Sequence, residues 1–150
     1  MGCLEMSESV HKAFVEKFSD YWAAPSVERM PEFLTNDVIL IQPLSYPMEG
    51  LAAAQDEFRR LFQWIPDLHG DIEHWGGHGD TLFISFTLTG TIGRNTRLHW
   101  PLVDRFELVG DKACKRVSSF NPFPLLWTVT LTPSAWWGWW RSGIARPWRR

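Results

Sequence analysis

From Leu68 to Phe120 the chain alternates apolar and polar residues in four stretches separated by glycine-containing breaks. This pattern limits the fold more than any other feature. Side chains of a strand point to opposite faces in turn, so alternation marks a sheet with one buried face. The spacing predicts strands at about 68–75, 81–91, 96–108 and 113–120, with turns at Gly76-Gly77, Gly93-Arg94-Asn95 and Gly110-Asp111. Turns this close join antiparallel neighbours. In the second stretch Leu82, Ile84, Phe86 and Leu88 share one face, and Ser85, Thr87 and Thr89 share the other.

Upstream, the apolar period changes to that of a helix. Val10, Phe14, Phe18, Tyr21 and Trp22 recur at helical spacing over residues 8–22, with Lys12, Glu16, Lys17 and Ser19 between them. Ala23-Ala24-Pro25 breaks this helix, and Ser26 is placed to cap a short second one carrying Val27, Met30 and Phe33. Asp37–Gln42 is apolar and β-branched and reads as a strand stopped by Pro43. Gly50 leads into a third helix with Leu51, Ala54, Phe58, Leu61, Phe62 and Ile65 on one face, ended by Pro66. The order predicts an α+β domain with helices on one face of a curved antiparallel sheet. A length of 150 residues fits one domain. A long sheet curled around a helix encloses a conical space, the kind of concavity that takes small ligands.

One residue breaks the apolar row of the third stretch. In Leu98–Phe106, LHWPLVDRF, the residues Leu98, Trp100, Leu102 and Asp104 share a face. A carboxyl group thus ends a row of large apolar groups. Buried beside indole and leucine, it has a raised pKa and can donate a hydrogen bond or act as a general acid. The plain alternative is a strand-edge acid paired with Arg105 or a lysine. His99 points away from Asp104 on an ideal strand, unless a bulge at Pro101 turns it. Tyr21 and Trp22 are core residues or pocket wall, and Gln42 is a strand-end polar group or a donor and acceptor facing the cavity.

Composition narrows the partners. A formal net charge of −2 argues against a nucleic-acid surface. Ten Trp and ten Phe suit a cavity or an interface as well as a core. Cys3 and Cys114 make no disulfide framework and no secretory leader is evident, so a reduced cytoplasmic protein is expected. Gly2-Cys3 has the layout of dual acylation, but Met6 stands where the myristoylation pattern needs Ser or Thr. Glu73, His74, His78 and Asp80 include a His-x3-His spacing that can bind zinc. They cross the expected Gly76-Gly77 turn, however, where polar residues belong. No phosphate-binding glycine loop, nucleophile elbow or His-Glu-x-x-His motif is present. No metal or organic cofactor is implied.

FSDYW near the end of the first helix, LTNDVILIQP, MEGLAAAQDEFRRLF and VDRFELVGDKACKRVSSFNP together resemble the nuclear transport factor 2-like superfamily, and within it the SnoaL-like polyketide cyclase group. The resemblance covers about residues 10–122. It implies a cone-shaped sheet wrapped around a long helix, and a homodimer. Ketosteroid isomerase belongs to the same superfamily. Asp104 falls where that enzyme keeps its protonated aspartate, Phe18 where it has a tyrosine donor, and Gln42 where it has its aspartate base. The missing base implies that steroid isomerisation by that mechanism is absent. The Asp-Arg-Asp set of limonene epoxide hydrolase has no counterpart at positions that align.

Residues 123–150 differ from the rest. No charged residue stands between Asn121 and Arg141, and Trp136, Trp137, Trp139 and Trp140 crowd together before Arg141, Arg146, Trp148, Arg149 and Arg150. Pro122, Pro124 and Pro133 prevent one continuous helix, so the segment is not a good transmembrane span. It either packs on the domain, a dimer mate or the cavity mouth, or lies in a membrane interface.

The sequence therefore predicts a domain at 1–122 with an extension at 123–150. Its expected function is binding a small hydrophobic molecule, polyketide- or terpenoid-like. If it is an enzyme, it is a cofactor-independent isomerase or cyclase, with lyase and hydrolase behind. Asp104 is then the acid, Gln42 and Tyr21 orient the substrate, and Phe18, Trp22, Phe62, Phe86 and Trp100 form the wall. The competing class is a non-catalytic dimerisation or membrane-associated module.

Overall fold

The computed structural model describes residues 2–144, with side chains from Ser7 onward. The side chains at the Met1-Gly2-Cys3 start and the basic end with Arg146, Trp148, Arg149 and Arg150 lie outside the described residues. Helix α1 (Gly2–Ala23) is followed by a 3-10 turn, Val27–Glu32, and strand β1 (Leu34–Ile41). A two-residue strand β2 (Met48–Glu49) precedes helix α2 (Leu51–Trp64). The meander then runs through β3 (His69–His78), β4 (Thr81–Ile92), β5 (Thr96–Val109) and β6 (Lys112–Ser119). Helices α3 (Pro122–Thr130) and α4 (Pro133–Ser142) complete the described chain.

The six strands form one curved, unclosed sheet in the order β2-β1-β6-β5-β4-β3. Neighbours in the meander are antiparallel, while β1 joins β6 in parallel, with Leu40 opposite Arg116. The alternation in β4 is as the sequence predicts: Leu82, Ile84, Phe86 and Leu88 are buried on one face. Helix α1 lies against that face, so Phe14 and Phe18 meet Phe106 at 5.0 and 5.2 Å between ring centroids.

Three local expectations are corrected. The first hairpin turns at Gly79-Asp80, with Gly79 at φ 61°, and not at Gly76-Gly77. Gly77 is needed in the strand for another reason. A Cβ there would meet Thr81 O at 2.4 Å and the His11 ring at 2.8 Å, so α1 and β4 both crowd that position. Helix α1 also begins six residues before its amphipathic part. Its early turns are tied down by Ser7 Oγ and His11 Nε2, each 3.0 Å from Gly79 O. Finally, Pro101 sits in unbroken register opposite Thr87 and makes no bulge. Pairing with β6 ends at Val103, so at Pro101 only β4 is a neighbour and the lost N–H leaves no gap on the other side. His99 therefore stays exposed on the outer face.

Prolines at the first turns of α3 and α4 start each helix where a missing N–H costs nothing. Gly143, at φ 72°, ends α4 in the left-handed conformation. Leu125, Val129, Ala135 and Ile144 are buried as part of the main core. Fully burying an apolar side chain of this size contributes about 1.5–3 kcal/mol, before the cost of ordering the segment. Deleting residues 123–150 is expected to lower the melting temperature, as followed by circular dichroism. An unchanged transition would show that these four burials add no net stability.

Candidate functional site

The middle of the inner sheet face holds a charged pair. Asp104 on β5 is 0% exposed and Arg116 on β6 is 4% exposed. Arg116 Nε donates to Asp104 Oδ2 at 2.5 Å. Ile84 and Ser118 flank Asp104 on the two neighbouring strands. Asp104 is thus mid-strand, and its partner is neither Arg105 nor a lysine. Arg105 instead contacts Glu107 at 3.4 Å, since adjacent residues of a strand face opposite ways. Burial pushes the Asp104 carboxyl above its ordinary value, with the Arg116 charge and the Ser118 hydroxyl pulling the other way. Arg116 has no second carboxylate partner among the described residues, so a three-membered Asp-Arg-Asp set is not formed.

A chain of aromatic contacts begins at Arg116. The Arg116 guanidinium lies 5.5 Å from the centre of the Phe58 ring, and Phe58 is 6.2 Å from Trp22. Trp22 in turn lies 5.3 Å from Tyr21, 6.0 Å from Phe86 and 6.4 Å from Phe62. Phe18 touches both Trp22 and Phe86. Five of the expected wall and site residues, Phe18, Tyr21, Trp22, Phe62 and Phe86, are therefore brought together. Trp100 stands on the same face of β5 but packs on Phe120, at 4.8 Å. Phe62 is half-buried and lines a surface groove of about 390 Å³ with Ala23, Pro25, Leu68 and His69. Gln42 lies one residue beyond β1, half-buried, and no polar contact to Asp104 comes from it.

Several buried polar atoms of the domain interior have no partner. They are Tyr21 Oη, Trp22 Nε1, Trp100 Nε1 and Asp104 Oδ1. Burial holds the Tyr21 phenol well above its ordinary value, opposed first by the charge of Arg116, so it remains a protonated donor. The interior therefore holds three unpartnered N–H or O–H donors and one unpartnered carboxyl oxygen. Glu73, singled out with the histidines, accepts hydrogen bonds from Thr87 Oγ1 at 2.6 Å and Ser85 Oγ at 3.4 Å. Among the described residues no group of three or more His, Cys, Asp or Glu is placed to hold a metal ion.

The curved sheet and the long helix across it are those of the nuclear transport factor 2-like fold. Residues 15–116 match the SnoaL-like domain family, and the chain belongs to that family. A protein assigned as a SnoaL-like polyketide cyclase from Jannaschia sp. CCS1 superposes with a TM-score of 0.70 at 16% identity, covering 83% of this chain and 96% of that one. TerC, co-crystallised with polyporic acid, gives 0.70 at 14% identity over 79% and 98%. An NTF2-like protein of unknown function from Burkholderia pseudomallei gives 0.72 at 12% over 81% and 98%. No curated protein matches the chain.

Proposed function

We propose that the domain binds a small, mainly apolar molecule carrying one carbonyl or hydroxyl group, and that Asp104 serves it as an acid. The supporting observation is the set of orphaned polar atoms. Each buried donor or acceptor left without a partner costs about 1–3 kcal/mol. Tyr21 Oη, Trp22 Nε1 and Asp104 Oδ1 lie along one connected wall, so their combined cost is a large part of the stability of an ordinary domain. A ligand oxygen placed among them removes that cost. The surrounding phenylalanine rings suit a polyketide- or terpenoid-like skeleton.

In the catalytic version, the empty protein keeps the carboxylate paired with Arg116, and ligand binding brings a proton onto Asp104 Oδ1 while Oδ2 stays on Arg116. Its Oδ1–H donates a hydrogen bond to a ligand carbonyl oxygen and stabilises negative charge that develops there, the proton staying on Asp104. Tyr21 is the second donor. A second reading is favoured by the packing. The rings of Phe86 and Phe106 lie 5.1 and 5.2 Å from that of Phe18. An interior filled in this way suits a non-catalytic homodimerising module.

Tyr21→Phe separates the two. It removes an unsatisfied hydroxyl and little else, so the empty protein is expected to be equally or more stable, by up to about 1–3 kcal/mol. Native mass spectrometry of the protein purified from its host is expected to find a retained ligand, held less well by the variant. No retained mass, or equal retention by the variant, favours the non-catalytic reading.

A further inference from the structure

A second site lies outside the sheet, between α2 and α4. Arg60, Gln63 and Trp64 from α2 face Trp137, Gly138, Arg141 and Ser142 from α4 across an open groove of about 440 Å³. Two N–H donors of this groove, Arg60 Nε and Trp64 Nε1, are buried and unpartnered. Glu57 takes one terminal nitrogen of Arg60, which leaves Nε over. Gly138 permits the approach: a Cβ there would lie 3.1 Å from Trp64 Cδ1. With Arg141 on the other wall, the groove presents two guanidinium groups and an indole N–H, a donor set suited to a phosphate.

The surface beside the groove is apolar. Trp140 lies one turn after the adjacent Trp136 and Trp137 on α4, and Trp136, Trp137 and Trp140 are 51%, 73% and 56% exposed. On α3, Phe123 and Trp127 stack at 6.2 Å, both exposed. The charge of the chain is divided along its length. All 17 acidic residues lie at or before Asp111, and the chain ends with Arg141, Arg146, Arg149 and Arg150. Exposed indoles with adjacent arginines and no acid after them match the boundary of an anionic bilayer, where such rings settle at headgroup depth and basic groups meet phosphate. Among the described residues no helix is long and apolar enough to cross a membrane. We propose that the α3–α4 face docks on an anionic lipid surface, with a lipid phosphate seated in the Arg60–Trp64–Arg141 groove and Trp137 and Trp140 in the interface.

Vesicle co-sedimentation of the full chain tests this. Mixed phosphatidylcholine–phosphatidylglycerol vesicles are expected to bind the protein and pure phosphatidylcholine vesicles to bind it at least about tenfold less, with a blue shift of tryptophan emission on binding. Trp137→Ser with Trp140→Ser, and separately Arg60→Gln with Arg141→Gln, are each expected to lower binding about tenfold or more, with unchanged far-ultraviolet circular dichroism. Should one pair misfold, the other decides. Equal binding to both vesicle types overturns the headgroup seat. Binding of soluble glycerol 3-phosphate without vesicle binding assigns the groove to a free phosphate and overturns the lipid surface. A dimer that the tryptophan pair dissociates, with no vesicle binding, makes the face a contact between two copies and overturns it as well.

Discussion

Replacing Arg116 with Met is expected to destabilise the protein by about 3–5 kcal/mol at neutral pH, because it leaves a fully buried carboxylate unpaired. Chemical denaturation measures this directly. Ordinary domains hold only about 5–15 kcal/mol in total. The pH dependence identifies the cause. With Arg116 gone, nothing of comparable strength opposes the burial that already raises Asp104 above its ordinary 3.8. A carboxyl that holds its proton more tightly when folded adds stability below the unfolded value. It loses that stability as pH rises through the folded value. The variant is therefore expected to regain stability as pH falls toward about 4, more steeply than the wild type. Combining it with Asp104→Leu removes both charges and should restore much of the loss, since a buried pair replaced by apolar groups is often neutral. A single variant that loses less than about 1 kcal/mol would show that the pair is solvated.

Phe18→Ala should cost about 3–5 kcal/mol, the range for removing a buried phenyl ring. Phe18 is fully buried and touches five other aromatic rings, those of Phe14, Trp22, Phe33, Phe86 and Phe106. For a chain this long, each kcal/mol lowers the melting temperature by about 2–4 °C, so a fall of roughly 10 °C is expected in thermal denaturation. The vacated space is lined by rings and should stay dry, so it should accept benzene. Benzene is expected to recover part of the lost melting temperature in the variant and to leave the wild type unchanged. A variant that melts like the wild type would mean that the interior around Phe18 is loosely filled.

The sequence carries the sheet more fully than it carries the site. Alternation along β4 and β5 places Leu82, Ile84, Phe86, Trp100 and Asp104 on the inner face, and the structure agrees. Asp104 stood out because it was a charge in an apolar row. Arg116 was hidden by the opposite circumstance. It sits among Lys112, Lys115 and Ser118, a stretch that looks like a solvated face. A register shift opposite Glu107 and Leu108 also reverses the phase within β6, so that Ala113 and Arg116 are both buried. Strict alternation from Ala113 puts Lys115 inside instead. The signal available was indirect: a buried carboxylate needs a cation. The misplaced Gly76-Gly77 turn has a similar origin. Glycine reads as a turn in one dimension, while at Gly77 it answers to the crowding of His11 and Thr81 from elsewhere in the fold.

The parallel pairing of β1 with β6 has a consequence for how the chain is made. β1 is synthesised early, and its long-range partner is the last strand of the sheet. Until Lys112–Ser119 exists, the apolar strand Leu34–Ile41 has only the two residues of β2 along its other edge. Contacts between segments this far apart in sequence are slow to form, and an unpaired apolar strand is prone to join another molecule. A chain growing on the ribosome thus carries this open edge from the completion of Ile41 until Lys112–Ser119 has been made. Pausing before residue 112, or truncation there, should send this protein to chaperones or into aggregates, and the meander's own hairpins cannot prevent it.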